Sequence, residues 1–330
     1  IILFKRKQFS FLKNKYSTIF FCFCIYILLR SIFTGEIISI KSSVFFFRFG
    51  LFSLAFYYLV INKIVSLKTF LKILTLLLVI VFTDSLLQFY YGVNFIGLEK
   101  MHPNRVSSFF GDELVLGSFS LRVFLLIIPL FLIFKESKTV PLMIITIVTI
   151  LIILSGERTA FGLIIIFFGL SIFIIIDKLK YILFSFAILL SLISILIYSN
   201  PTLHKRIIAQ TKTNFYFSKE EKIIAFSQVH YQHYSTGYKM FKDNIIFGIG
   251  PKMFRIKCDD PKYNSGQFSC ATHPHNILIQ FLAEFGVIGL IFLVYFYYLL
   301  ICNVLKSHKI KNLNNKKAFM LINLLVLLIF

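Results

Sequence analysis

Eight mostly apolar stretches recur along this chain, at about 17–33, 44–61, 70–91, 117–134, 139–154, 159–176, 181–198 and 285–303, and a ninth begins near 318. Residues 142–154, LMIITIVTILIIL, carry no charge at all. About 20 helical residues cross a bilayer core, and a helix pairs every backbone polar group within its own segment. A soluble enzyme is excluded, because 58% of the 330 residues are hydrophobic and only 15% are charged. Soluble domains lie nearer half and a quarter. Disorder is excluded by 42 Phe and 16 Tyr, far more than an unfolded segment carries. The sequence therefore specifies an all-α polytopic integral membrane protein with about nine transmembrane helices visible. It begins with Ile1 and ends within an apolar run, so further helices are expected at the termini.

The net charge is +21. On a soluble chain this would suggest nucleic acid. Here basic residues do not interleave with stacking aromatics, and no nucleic-acid partner is expected. The positive-inside rule and an anionic bilayer account for the excess instead. Seventeen cations lie on one side of the apolar segments, at 5–15, 63–72, 135–138, 178–180 and 306–317. The opposite short loops hold five: Arg30, Lys41, Lys100, Arg105 and Arg158. The N-terminus is thus expected in the cytoplasm. Three parts follow: helices 1 to 7 with short loops over 1–198, a large extracytoplasmic loop over 199–284, and C-terminal helices over 285–330. Ahead of Glu284, the loop holds eleven Lys and Arg against five acids. Either it faces an anionic ligand such as a lipid phosphate, or long loops translocate whatever their charge.

The densest constellation stands where that loop meets the next helix: His273-Pro-His275-Asn276, then Gln280, Glu284, Gly286 and Gly289. Asn276 suits an N-cap, and Asn276, Gln280 and Glu284 form one polar stripe at four-residue spacing. The glycines allow a kink or a close helix approach. Imidazole at such a junction can take a proton near neutral pH; its plainer role is a local cap. Ser155-Gly-Glu-Arg158-Thr159 is an abrupt polar turn between two apolar helices, and Arg158 there either snorkels or meets an anion. Arg105 sits in a second outer hairpin, while Arg122 is expected to pair with Glu113 or Asp84. Gly248-Ile-Gly250-Pro-Lys252 is a turn whose amides could cradle an anion, followed by Arg255. Cys258 and Cys270 bracket the stretch before His275 and suit a disulfide in an oxidising compartment. Zinc on these cysteines with His273 or His275 is the alternative, and its ligand spacing is cramped. Asp259-Asp260 lacks a third acid, so no metal is expected.

Together these features resemble the superfamily of O-antigen ligases and Wzy-type O-antigen polymerases, the glycosyltransferases of bacterial envelope polysaccharide. His275-Asn276, nine residues and Gly286-x-x-Gly289 fit the ligases' His-Asn-x9-Gly-x-x-Gly pattern without a gap. The turn at Ser155–Thr159 is similar to the family's Ser-x-x-Arg turn, Gly248-Ile-Gly250 to its Gly-x-Gly stretch, and Arg105–Gly111 to its Arg-x-Ser-Gly-x-Phe hairpin, with Ser108 in place of the glycine. Asp84, Gln88 and Gly92 recur in similar form. The family also places arginines in the large loop. Arg206 suits the first of these; at the second stand His230, Gln232 and His233, so His233, Lys239 or Arg255 is expected to substitute.

The resemblance implies transfer of a glycan from an undecaprenyl-diphosphate-linked donor to an acceptor hydroxyl at the periplasmic face of the inner membrane, with no cofactor and no metal. A lipid A–core acceptor defines a ligase of lipopolysaccharide biosynthesis; a second lipid-linked glycan defines the polymerase alternative. Arg158, Arg105 and Arg206 would hold the diphosphate and His275 would be the base. Asn276, Glu284, Gly248, Gly250, His233 and Arg255 would support them. A lipid or solute transporter is the competing class, but its charged residues would cluster at the bilayer midplane in symmetric halves.

Overall fold

The computed structural model describes residues 15–102, 105–134, 139–175 and 227–329, with isolated positions between 176 and 226. It is helical apart from one antiparallel ladder, β1 (Tyr216–Phe217) on β2 (Ile223–Ile224), in which Tyr216 faces Ile224. Among the described residues, five helices are long and apolar enough to cross a membrane: α1 (Lys15–Thr34), α2 (Ile37–Ile61), α3 (Leu67–Tyr91), α4 (Leu116–Phe134) and α9 (Ile277–Lys306). The expected count of nine is not reached among the described residues. Helices α5 (Thr139–Ser155) and α6 (Arg158–Ile175) are apolar but shorter, as is α10 (Leu313–Ile329). The segment expected at 181–198 and the start of the large loop lie outside the described residues. What is described of that loop is ordered structure, with α7 (Gln228–Asp243) and the short α8 (Phe254–Lys257).

The chain forms two compact units, residues 1–65 with 213–299, and 66–212 with 300–330. In the second unit the core runs along α3, α4, α5 and α6, with Leu71, Leu78, Phe124, Ile127, Val148, Leu151, Ile164 and Phe167 buried together. Helix α3 starts at Ser66, whose hydroxyl accepts from the Lys68 amide at 3.2 Å. It stops at Gly92, which takes the left-handed conformation (φ 82°) that ends a helix at least steric cost. Beyond it, the hairpin to Gly111 is built on a buried carboxylate. Asp84 accepts from the Phe95 amide at 2.9 Å and the Ser108 hydroxyl at 2.5 Å, and Gln88 accepts from the amides of Ser107 and Ser108. Ser108 has φ 54°. The position where the resembling motif has glycine thus keeps glycine's conformation, held by the hydroxyl that glycine lacks. Arg122 is exposed and forms no ion pair with Asp84 or Glu113, contrary to the sequence expectation. Asp84 is already committed to hydrogen bonds within the hairpin.

In the first unit, α1 packs on α2, with the Ser43 hydroxyl reaching the Ile27 carbonyl of α1 at 3.2 Å. Phe23, Ile27 and Phe285 form one apolar cluster. Met240, Ile249, Met253, Phe254, Tyr263 and Ala283 form another beneath the loop.

Candidate active site

Helix α9 is broken at Gly286, whose φ of 64° and ψ of −161° interrupt the helical path. This conformation is essentially closed to residues with a Cβ. A break leaves amides and carbonyls unpaired, which is costly at membrane depth. Residues 245–250 repair it by lying alongside. The Ile249 and Gly250 amides donate to the carbonyls of Ala283 and Glu284 at 2.8 and 2.9 Å. On the far side of the break, the Val287 and Ile288 amides donate to Ile245 and Ile246 at 2.9 and 3.3 Å. The segment approaches so closely that a Cβ on Gly248 would collide with the backbone of Glu284 and Phe285, and one on Gly286 with the backbone of Ile246. The Gly-x-Gly stretch and the Gly-x-x-Gly stretch therefore form one structure.

Side chains from α1 lock this crossing. Arg30 donates from Nε and Nη2 to the Gly248 carbonyl at 3.0 and 2.6 Å. The Tyr26 hydroxyl reaches the Phe285 carbonyl at 2.6 Å. Glu284, 2% exposed, accepts from the Phe254 amide at 3.4 Å, the Lys252 amide and the Gln280 side chain. It thereby folds the turn that presents Lys252 and Arg255.

His275 sits one residue before the N-cap of α9. Asn276 Oδ1 accepts from the Ile279 amide at 3.1 Å, closing the first turn of the helix. His275 is exposed and has φ 56°, a backbone setting uncommon for a residue with a side chain. Three imidazoles surround its ring, with centroids 4.3 Å away (His273), 5.3 Å (His233) and 5.7 Å (His230). His230 and His233 come from α7; Ser227, the N-cap of α7, bonds His230 Nδ1 at 2.6 Å. Lys252 and Arg255 act electrostatically on His273, and Arg255 donates to the Thr272 carbonyl at 3.0 Å. Burial pushes the pKa of His233, His273 and His275 below the ordinary imidazole value. Like charge adds to this for His233, through the neighbouring histidines, and for His273, through His275, Lys252 and Arg255. The neutral, proton-accepting form is thereby favoured. Cys258 and Cys270 are joined in a disulfide. With Asp259 they make a close set of donor atoms, but a disulfide withholds both thiolates from a metal.

The second unit places Arg105 and Arg158 on either side of the Ser155–Thr159 turn. Arg105 donates to the carbonyls of Ser155 at 2.8 Å and Leu114 at 3.2 Å, so it holds the turn together. Glu157 accepts from the Gly117 and Ser118 amides at 2.6 and 3.1 Å, capping α4 across the turn. Arg158, the first residue of α6, is left exposed. A Glu157→Ala variant is expected to lose about 1–2 kcal/mol through the uncapped α4, read as a lower melting temperature in detergent. A melting curve superimposable on wild type would show that the cap contributes nothing.

Of the residues singled out in the sequence, the structure brings His275, Asn276, His233, Glu284, Gly248, Gly250, Arg255 and both loop cysteines into one unit. Arg105 and Arg158 belong to the other. Arg206 lies outside the described residues. Sequence reading missed Arg30 and Tyr26 as clamps; an arginine within an otherwise apolar helix was the available signal, since it requires a partner there. It also missed the gathering of four histidines, which no spacing rule announces because two come from α7 and two from the strap before α9.

The fold and site define a multi-pass helical membrane protein with a histidine-centred site at a loop–helix junction. Residues 141–294 match the family model Wzy_C, described as O-antigen ligase. That stretch of the chain is thus similar to the O-antigen ligase family, in agreement with the motif resemblance. No curated protein and no solved structure matches it.

Proposed function

We propose that this protein is an O-antigen ligase-like glycosyltransferase, which moves a glycan from undecaprenyl diphosphate to an acceptor hydroxyl such as a lipid A–core sugar. The observation that carries the reading is His275, on a constrained backbone at the N-terminus of α9 and beside imidazoles, of which His273 feels the cations Lys252 and Arg255. His275 takes the hydroxyl proton, the acceptor oxygen attacks the anomeric carbon, and the bond from that carbon to the phosphate oxygen breaks. The leaving diphosphate keeps the electron pair. It is already a stable anion, so catalysis consists of aiming the acceptor, removing one proton and holding negative charge. Lys252 and Arg255 meet that charge; the family resemblance gives the same task to Arg158 and Arg206, and Arg105 steadies the turn that bears Arg158. None of these steps uses a metal. The cation imbalance supports a cytoplasmic N-terminus and a periplasmic active face in the inner membrane, and the disulfide supports an oxidising compartment for the loop.

A Wzy-type polymerase uses the same donor and differs in its acceptor. The ungapped His-Asn-x9-Gly-x-x-Gly match favours the ligase. The test is expression of the full-length protein in ligase-null and polymerase-null bacteria, with lipopolysaccharide resolved on silver-stained gels. A polymer ladder restored only in the ligase-null strain is expected. Restoration only in the polymerase-null strain reassigns the acceptor, and restoration in neither, with the protein present in the membrane, rejects both readings.

A further inference from the structure

His233 is 3% exposed, and its Nδ1 is buried without a hydrogen-bond partner among the described residues. Its other ring nitrogen is committed to the backbone carbonyl of Cys270, which the disulfide ties to Cys258. In a neutral imidazole one nitrogen carries the proton and the other a lone pair. The bond to Cys270 therefore leaves Nδ1 as the lone pair, aimed at no donor in the resting chain. The His275 centroid lies 5.3 Å away, with the rings inclined by 34°. Two imidazoles joined by an N–H···N bond of about 2.9–3.0 Å have centroids roughly 5.2 Å apart. The separation is that of such a pair.

A general base is ordinarily oriented by a third group, often a carboxylate. Among the described residues, the groups around this cluster are His230 and Tyr234 on α7, Lys252 and Arg255 after the glycine turn, and His273 on the strap. None is a carboxylate. We propose that His233 is the positioning residue of His275: its Nδ1 accepts the His275 N–H, leaving the other His275 nitrogen to face the acceptor hydroxyl with its lone pair. When His275 takes the acceptor proton it becomes an imidazolium with two N–H groups, one still held by His233, and it later releases a proton to water. The disulfide serves this arrangement by fixing the carbonyl that sets the His233 tautomer. The inference rests on the reading of His275 as base.

The experiment joins nitrogen NMR of [15N]histidine-labelled full-length protein in detergent with the transfer assay. His275 signals are identified by their loss in His275→Ala. Wild type is expected to show one dominant His275 tautomer. His233→Ala is expected to give a tautomer mixture and a kcat lower by on the order of 10- to 100-fold, with the donor KM within about twofold. His233→Asn, whose side-chain oxygen can stand in for Nδ1, is expected to recover most of both. The double variant Cys258→Ser/Cys270→Ser is expected to shift the tautomer ratio in the same direction. An unchanged tautomer ratio in His233→Ala overturns the inference, whether kcat is retained or is lost along with the melting temperature. If wild type transfers no glycan, the proposed function fails and the tautomer ratio alone decides the role of His233.

Discussion

Substituting His275 by alanine is expected to lower glycan transfer by roughly 10²- to 10⁴-fold, the range that a positioned base contributes, while the protein keeps its melting temperature. Alanine has no ring to accept the hydroxyl proton, yet its backbone meets nearly the same strain at φ 56°, so the helix start is not rebuilt. Neighbouring imidazoles do not substitute. His233 is buried, and His273 has its Nδ1 bonded to the Thr272 hydroxyl at 2.9 Å. The pH dependence has a definite sign. Only neutral His275 is a base, and burial holds its pKa below the ordinary imidazole value. Transfer should therefore stay level through neutral pH and fall as the pH drops through a value below about 6.5. A His275→Ala protein should retain a small residual rate without that acid limb. Full transfer by a normally expressed His275→Ala protein would remove His275 from the mechanism. An acid limb that persists in the variant would assign the titration to another group.

How much of this could be read in the sequence depends on where the information lies. Apolar length announces helices, and Asn276, Gln280 and Glu284 at four-residue spacing announce a polar stripe, because both are local patterns. The stripe is real in the structure, with Gln280 reaching Glu284 at 3.3 Å. Its purpose was not legible, since the groups that Glu284 serves are backbone amides of another segment. Arg30 was counted only as a loop cation, although its guanidinium grips the Gly248 carbonyl. Arg122 was expected to take Glu113 or Asp84, but the small residues Asn94 and Ser108 had already satisfied the Asp84 carboxylate. Charge counting favours ion pairs, whereas a hairpin folded over a carboxylate supplies hydrogen bonds that are closer at hand.

The glycines of the two motifs are where substitution should damage the fold itself. Gly248→Ala and Gly286→Ala are each expected to destabilise the protein by roughly 3 kcal/mol or more, combining backbone strain with overpacking, and to abolish transfer as a consequence. At φ 67° and 64° a Cβ is strained whatever the space around it. Here there is also no space, because the neighbouring atoms are backbone and cannot rotate aside. Relief would require residues 245–250 to withdraw from α9, leaving the carbonyls of Ala283 and Glu284 and the amides of Val287 and Ile288 without partners inside a membrane-spanning helix. Withdrawal would also free Arg30 and Tyr26 from the carbonyls they hold and undo the turn that carries Lys252 and Arg255. The control is Gly162→Ala on α6, where an added Cβ meets nothing within 4 Å; it should be neutral or slightly stabilising, because alanine favours helix over glycine. Thermal unfolding in detergent, with membrane yield measured alongside, separates the cases. Wild-type melting in Gly248→Ala and Gly286→Ala would mean that the broken helix does not depend on this close crossing, and His275 would then need another account of how its helix is held.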